Sequence, residues 1–364
     1  MKIAVYYDVP FGGAHVAMDE IISGLNKGNV IILIPHHQSP FINLWPRRWW
    51  ADMESLVFQP FIQYRLARAI SQADFQVVLV SHDRHFQAPW LLRFLKIPTV
   101  FLCQEPTRAL FEKFLSVDPR LPFYKRFYEK AIRSLRKRIE IKNAHSATRI
   151  ISNSVFSARS ILAAYGRPST PVHMGFNSRN FFPMKLPKLP QVMVVGNHEP
   201  QKALPFAIEV ISHIATANRP QLIIVSPRHR RHEELFRLAK DGGVSLSIKE
   251  NITTAELRRL YNQSKALLAV ARLEPFGLSV IESLACGTPV VAVKEGGYRE
   301  TVINGQNGFL VKRDALSLAQ KLEMIIQNDS LGSRLGLQGI KDVKTRFMWP
   351  ATVNKILKVL HEVA

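Results

Sequence analysis

Glu274 and Glu282 stand with seven residues between them in a segment of unusual punctuation. Pro275 and Gly277 force a tight turn, and Gly287 followed by Pro289 stops the helix that begins after it. A helix launched this way from the carboxyl edge of a parallel sheet presents free N–H groups and the positive end of its dipole, which together hold a diphosphate. Neither carboxylate suits a phosphate. Both suit sugar and ribose hydroxyls, from which a carboxylate accepts paired hydrogen bonds. A surface acid ahead of a helix and a solvated helix position would be the ordinary fate of two glutamates. The continuation Glu295-Gly296-Gly297-Tyr298-Arg299-Glu300 weighs against that, because it adds a glycine pair to the same pattern.

Other candidates lie at the ends of other strands. Val194-Val195-Gly196-Asn197-His198-Glu199-Pro200-Gln201-Lys202-Ala203 places a lysine just after a strand and a glycine turn, where the plain alternative is a solvated lysine at a helix start. Phe11-Gly12-Gly13-Ala14 opens a helix after the first strand, so the backbone at Gly12 and Gly13 can approach a phosphate or an acceptor; an ordinary strand-to-helix turn has the same signature. His82 and Gln104-Glu105-Pro106 follow two further strands at the face where α/β proteins keep their sites, and His82 is equally a structural strand-end histidine. No Asp-X-Asp pair occurs, and His36-His37 and His229/His232 are only scattered pairs. No metal is therefore expected, and Lys202 and helix-terminal amides would balance a diphosphate.

The elements needed to position these residues recur twice along the chain. Ile3 to Tyr7, Val30 to Ile34, Val77 to Val80, Thr99 to Leu102 and Arg149 to Ser152 have the length and apolar character of buried parallel strands separated by helices. Val192 to Val195, Leu222 to Val225, Ser245 to Ile248, Ala266 to Ala269, Val290 to Val293 and Phe309 to Val311 repeat the theme. Between the two sets, the prolines of 182–190 favour an extended linker. The expected organisation is a Rossmann-like domain over 1–182, a linker over 183–190, a second such domain over 191–345, and a helix over 346–364 packing back on the first domain. Val353, Ile356, Leu357 and Leu360 share one face of that helix.

The stretch from Arg272 to Val311 closely resembles the signature of glycosyltransferase family 4, in which two glutamates are separated by seven residues. Gly305-Gln306-Asn307-Gly308-Phe309-Leu310-Val311, Ser152-Asn153-Ser154 and Gly175-Phe176-Asn177 extend the likeness over nearly the whole chain. The resemblance implies an α/β protein of the GT-B fold, two Rossmann-like doubly wound domains facing each other across a cleft, with acceptor binding for the first and nucleotide-sugar binding for the second. It implies a retaining, metal-independent enzyme with no cofactor, whose donor is a UDP-, GDP- or ADP-sugar. By the same likeness Glu282 holds the donor ribose and Glu274 contacts the transferred sugar, while backbone amides near Phe276, Gly277 and Leu278 meet diphosphate or sugar. The family places an arginine just after Gly196 and a lysine five residues later. Lys202 is kept, but Asn197 stands for the arginine, so one charge on the leaving group is missing unless Arg228 or Arg230 supplies it. Gln104 stands where a histidine often contacts the transferred sugar, and Ala203 replaces a usual glycine. The implied reaction moves a hexose or N-acetylhexosamine to a glycan or lipid-linked acceptor in cell-envelope or surface polysaccharide synthesis, such as that of lipopolysaccharide. A nucleotide-sugar epimerase of the same fold and a polyanion-binding protein with a degenerate transferase core are the alternatives.

With 364 residues, 47% hydrophobic and 21% charged, the chain has the composition of a two-domain globular protein. Its two cysteines, Cys103 and Cys286, lie far apart in apolar surroundings, which excludes a disulfide framework and suits a reducing cytoplasm. The amino terminus reads as a first strand rather than a signal peptide. Lys and Arg number 49 against 28 Asp and Glu, a net +21 that attracts anionic lipid, acidic glycan or nucleic acid without choosing among them. No specific nucleic-acid partner is expected. The basic stretch Arg120 to Lys142 carries Phe127, Ala131, Leu135 and Ile139 on one helical side, and Leu44-Trp45-Pro46-Arg47-Arg48-Trp49-Trp50 combines tryptophan with arginine. Both suit the anionic inner face of a membrane; packing of the apolar stripe on the first-domain core is the other reading.

Overall fold

The structure, a computed structural model, describes residues 1–9, 12–26, 30–33 and 47–364, and only the backbone course of 30–33 and 47–48. His36, His37 and the start of the tryptophan-arginine segment, 44–46, lie outside the described residues.

In the first sheet β1 (Lys2–Tyr6), β2 (Val30–Leu33), β3 (Val77–Val80), β4 (Thr99–Cys103), β5 (Arg149–Ser152) and β6 (Thr170–Pro171) are ordered β2-β1-β3-β4-β5-β6. Every pairing is parallel. In the second, β7 (Leu189–Val195), β8 (Gln221–Ser226), β9 (Leu246–Glu250), β10 (Ser264–Ala269), β11 (Val290–Val293) and β12 (Gly308–Val311) are ordered β12-β11-β10-β7-β8-β9, again all parallel. Central strands such as β3, β4 and β11 are buried at every residue. Helices cover both faces, and so the sequence shows unbroken apolar runs rather than alternation. The strand order reverses between β1 and β3 in one sheet and between β7 and β10 in the other. At such a reversal the loops leaving the carboxyl ends part in opposite directions and leave a crevice, where ligands of this architecture bind.

The chain forms two compact units, residues 1–173 with 350–364, and 174–349. The stretch 174–182 groups with the second unit because Phe176 N–H donates to Phe347 O at 2.9 Å and Phe176 pairs with Met348. Leu189 and Pro190, expected in a linker, already form the start of β7. The helix Trp349–Val363 buries Val353, Ile356, Val359 and Leu360, and Thr352 Oγ1 donates to His173 O at 2.8 Å.

The basic helix forms over Phe123–His145, and of the two readings of its apolar stripe, packing on the core is not the one found. Phe127 is 68% and Leu135 46% exposed, and only Ile139 of the four is buried. The inward face instead carries Glu129, Glu140 and Asn143. Glu140 draws the helix down on that side by accepting from Tyr165 Oη at 2.6 Å and Thr107 Oγ1 at 2.9 Å. Among the described residues no helix is long and apolar enough to cross a membrane.

Candidate active site

At the reversal of the second sheet two loops meet, 196–203 after β7 and 270–277 after β10. Arg272 N–H donates to Gln201 O at 2.7 Å, tying one loop to the other. The Lys202 ammonium then lies 2.9 Å from Glu274 Oε2 and 3.2 Å from Oε1. Both side chains are mostly enclosed, so the pair is screened less than a surface ion pair. Glu274 sits in the loop beyond β10, which ends at Ala269, not at the strand end itself. Lys202 closes the short 3₁₀ turn Pro200–Lys202. A Cβ on Gly196 would come 3.2 Å from that of Lys202, so the glycine leaves room for the lysine stem.

The glycine pair is what lets the next loop press onto this one. Gly296 has φ +54°, and a Cβ there would sit 2.7 Å from Glu274 N and closer still to its carbonyl oxygen. Gly297 packs as tightly on Phe276 and donates its N–H to Glu274 O at 2.7 Å. Gly277, at φ +93°, turns the chain into the helix Leu278–Ala285, whose first N–H groups lack intrahelical acceptors. Arg313 fixes the root of the loop. It forms a two-bond pair with Glu295, at 2.7 and 2.8 Å, and donates to Val270 O and Ala271 O at 2.9 and 3.1 Å.

Glu282 lies in the second turn of this helix. Its Oε2 accepts from Tyr261 Oη at 3.0 Å, and burial pushes the carboxyl up to about 7 against that stabilising bond. Tyr261 is fully buried, and burial with the neighbouring Glu282 keeps its phenol protonated and therefore the donor. Residue Glu282 keeps some surface in contact with solvent although its carboxyl is deeply enclosed.

Asn197 is half-buried and its Oδ1 accepts from Glu199 N–H at 3.2 Å. Beside it, His198 stacks on His229 with ring centroids 4.4 Å apart and lies tilted against His232 at 4.6 Å. Burial first, then its two histidine neighbours and Arg231, lower the His198 pKa. Arg228 lies 4.0 Å from Glu250, which also binds His232 Nδ1 at 2.7 Å. Among the described residues no group of three His, Cys, Asp or Glu side chains is placed to hold a metal ion. Ala203, in the position of the usual glycine, adopts φ +51°, ψ +40°, a left-handed conformation costly for alanine.

The remaining candidates belong to the first unit. Gly12 and Gly13 are exposed at the start of the helix Gly13–Leu25. Gln104 follows β4, half-buried, with its Nε2 lacking a hydrogen-bond partner among the described residues. His82 ends β3; burial lowers it to about 4, Asp8 opposing, so it is neutral at pH 7. The structure therefore gathers Gly196, Asn197, Lys202, Glu274, Phe276, Gly277, Leu278 and Glu282 on one unit, and Gly12, Gly13 and Gln104 on the other. Tyr261 and Arg313 were not picked out from sequence. Each acts on a residue far along the chain, Tyr261 on Glu282 and Arg313 on Glu295, so no local pattern marks them.

Parallel sheets reversing at a carboxyl-edge crevice, with a cation, two carboxylates and a glycine-set helix start, define an α/β protein of GT-B architecture. A model described as Glycosyltransferase Family 4 matches residues 11–178, and one described as Glycosyl transferases group 1 matches 178–342. The chain belongs to glycosyltransferase family 4. It is 29% identical over 242 residues to a D-inositol 3-phosphate glycosyltransferase of Thermobispora bispora, covering 59% of this chain and 56% of that one. The chain spans about half the length of the curated relatives it matches. Among solved structures, sucrose-phosphate synthase from Thermosynechococcus elongatus superposes with a TM-score of 0.76 at 18% identity, covering 99% of this chain and 98% of that one. Anabaena HepE in complex with UDP and glucose gives 0.76 at 17% identity, covering all of both chains.

Proposed function

We propose that this protein is a retaining, metal-independent glycosyltransferase that takes a hexose or N-acetylhexosamine from a UDP-, GDP- or ADP-sugar. The observation that carries the reading is the Lys202–Glu274 pair at 2.9 Å beside the start of the helix bearing Glu282. Lys202 and the helix-terminal amides hold the diphosphate, Glu274 the transferred sugar and Glu282 the ribose. Asn197 contributes a neutral contact. The anomeric carbon–phosphate oxygen bond breaks as the acceptor oxygen bonds to that carbon on the same face, and the acceptor proton passes to the departing phosphate. No further base is required. Gly12, Gly13 and Gln104 are offered for the acceptor side. The relative with a glycosyltransferase name and the neighbour bound to UDP and glucose favour this chemistry over epimerisation or polyanion binding.

The acceptor is a glycan or lipid-linked hydroxyl of the cell envelope or surface polysaccharide, met at the inner face of the membrane. Exposed Phe123, Tyr124 and Phe127, 80%, 67% and 68% accessible and interleaved with Lys125, Arg126 and Lys130, support a peripheral membrane surface. A thermal-shift panel of UDP-, GDP- and ADP-sugars tests the donor reading. One base series should raise the unfolding temperature saturably and without added metal. No stabilisation by any of them, or sugar isomerisation without an acceptor, would remove it.

A further inference from the structure

A cavity of about 600 Å³ opens at the amino-terminal edge of the second sheet, the end opposite Lys202 and Glu274. Its walls come from the chain entering β7, the starts of β10 and β11, and the helix Asp329–Arg346. Met184, Leu186, Pro289, Ile325, Leu337 and Ile340 make most of it apolar. Its volume falls within the range of small-molecule sites, roughly 300–1,000 Å³.

Lys188 lies in this wall. Its ammonium donates to Ser264 O at 2.9 Å and to Thr288 Oγ1 at 2.7 Å, both neutral oxygens, and no carboxylate pairs with it among the described residues. An ammonium has three N–H donors, so one is left over. The residue keeps an exposed face, but enclosure around its ammonium, which outweighs the nearby Cys286, lowers Lys188 to about 8, leaving it charged at neutral pH. The carbonyl ends of the helices Thr254–Gln263 and Leu278–Ala285 converge beside it and favour a positive charge there. The other charged wall residues, Lys265 and Asp329, pair with each other. The cavity thus carries one positive charge that no carboxylate of the described residues pairs, set beside apolar side chains and open to solvent on one side.

We propose that this cavity binds a small organic monocarboxylate with an apolar body. The carboxylate takes the spare N–H of Lys188 and supplies the counter-charge the protein omits, while the body displaces water from the aliphatic wall. A neutral molecule of the same shape would leave the ammonium unpaired, and a dianion would exceed the charge available. The site is independent of the donor reading. It shares with the candidate active site one helix, which starts at Leu278 and ends against the cavity, and Tyr261, whose carbonyl accepts from Thr288 Oγ1 at 2.6 Å.

The full chain, free of nucleotide, is titrated by calorimetry and thermal unfolding with octanoate and 2-naphthoate, against octanamide and 2-naphthamide as uncharged counterparts. At least one acid should bind saturably and raise the unfolding temperature by roughly 5 °C at a hundred times its Kd. Its amide should bind at least tenfold more weakly. Lys188→Met should weaken the acid at least tenfold. So should Leu337→Trp, which narrows the cavity from an exposed helix position and decides the matter if the lysine variant does not fold. The proposal is overturned if neither acid binds saturably, if the amides bind as tightly, or if acid affinity survives the substitutions.

Discussion

Each sheet has its strand reversal spanned by an ion pair, Arg84 to Asp8 at 3.0 Å in the first unit and Lys202 to Glu274 at 2.9 Å in the second. The surroundings differ. In the first, buried Asp83 is used up by the protein itself, accepting from His85 N–H and Phe86 N–H at 2.8 Å each and from Gln63 Nε2 at 2.8 Å. His82 is held neutral there, and the one arginine is half exposed. In the second, glycines bring backbone against backbone at Gly296 and Gly297, a helix start opens at Gly277, and the lysine is enclosed. One backbone plan thus takes two forms: a reversal whose buried acid is taken up by hydrogen bonds within the protein, and a reversal with an enclosed ion pair beside a helix start, where the donor is proposed to bind. Chain topology supplies the crevice, and the loop residues decide whether it can hold an anion.

The largest test of that contrast is Gly296→Val. Positive φ and overlap with the Glu274 backbone should cost the second unit about 3 kcal/mol or more and abolish donor binding, measured by urea unfolding and calorimetry. Gly12→Ala, at an extended φ of 162°, should leave stability within about 0.5 kcal/mol. Equal losses at the two glycines would erase the distinction. Next in size, Lys202→Ala should lower kcat with the preferred sugar nucleotide by about 100-fold, whereas Arg84→Ala should change it less than about tenfold. A reversal of that order would move the chemistry to the first sheet.

Glu282 sharpens the contrast through pH. Its folded pKa, about 7, is raised by burial above the ordinary carboxylate value, so its contribution to stability is complete below about pH 4.5 and is lost as pH rises through 7. Glu282→Gln cannot ionise. Its stability relative to the parent should therefore rise by about 2 kcal/mol between pH 5 and pH 8 in urea unfolding. A flat difference would mean that the carboxyl ionises as freely as in the unfolded chain. The smallest effect is at Ala203, held at φ +51°. Ala203→Gly should stabilise the protein by about 1 kcal/mol, read from the denaturation midpoint, because glycine removes the left-handed strain. A loss instead would show that the loop gains from the methyl group.

The two sheets were legible because buried parallel strands are short, apolar and evenly separated, and their core runs lie within a few residues of the expected ones. Glu274, Gly277, Glu282 and Gly296 were legible together because one strand–loop–helix–strand unit carries them all. Lys202 came from a second loop, and its contact with Glu274 depends on β7 and β10 being neighbours, a pairing that no local pattern states. Tyr261 and Arg313 were hidden for the same reason. Apolar periodicity left the inward face of the helix Phe123–His145 open, and Glu140 with Tyr165 and Thr107 decides it against Phe127 and Leu135. The cavity at Lys188 could not be read from sequence, where that lysine is one of 49 basic residues.

The chain enters the second unit near Phe176 and leaves it near Met348, two residues that pair with each other, and only then makes the helix that the first unit buries. During synthesis the first unit therefore emerges early yet stays unfinished until the helix Trp349–Val363 has cleared the ribosome. The second can close on itself beforehand. The usual amino-to-carboxyl order of domain completion is inverted, and a nascent chain stalled short of residue 350 would display a finished second unit tethered to an open first one.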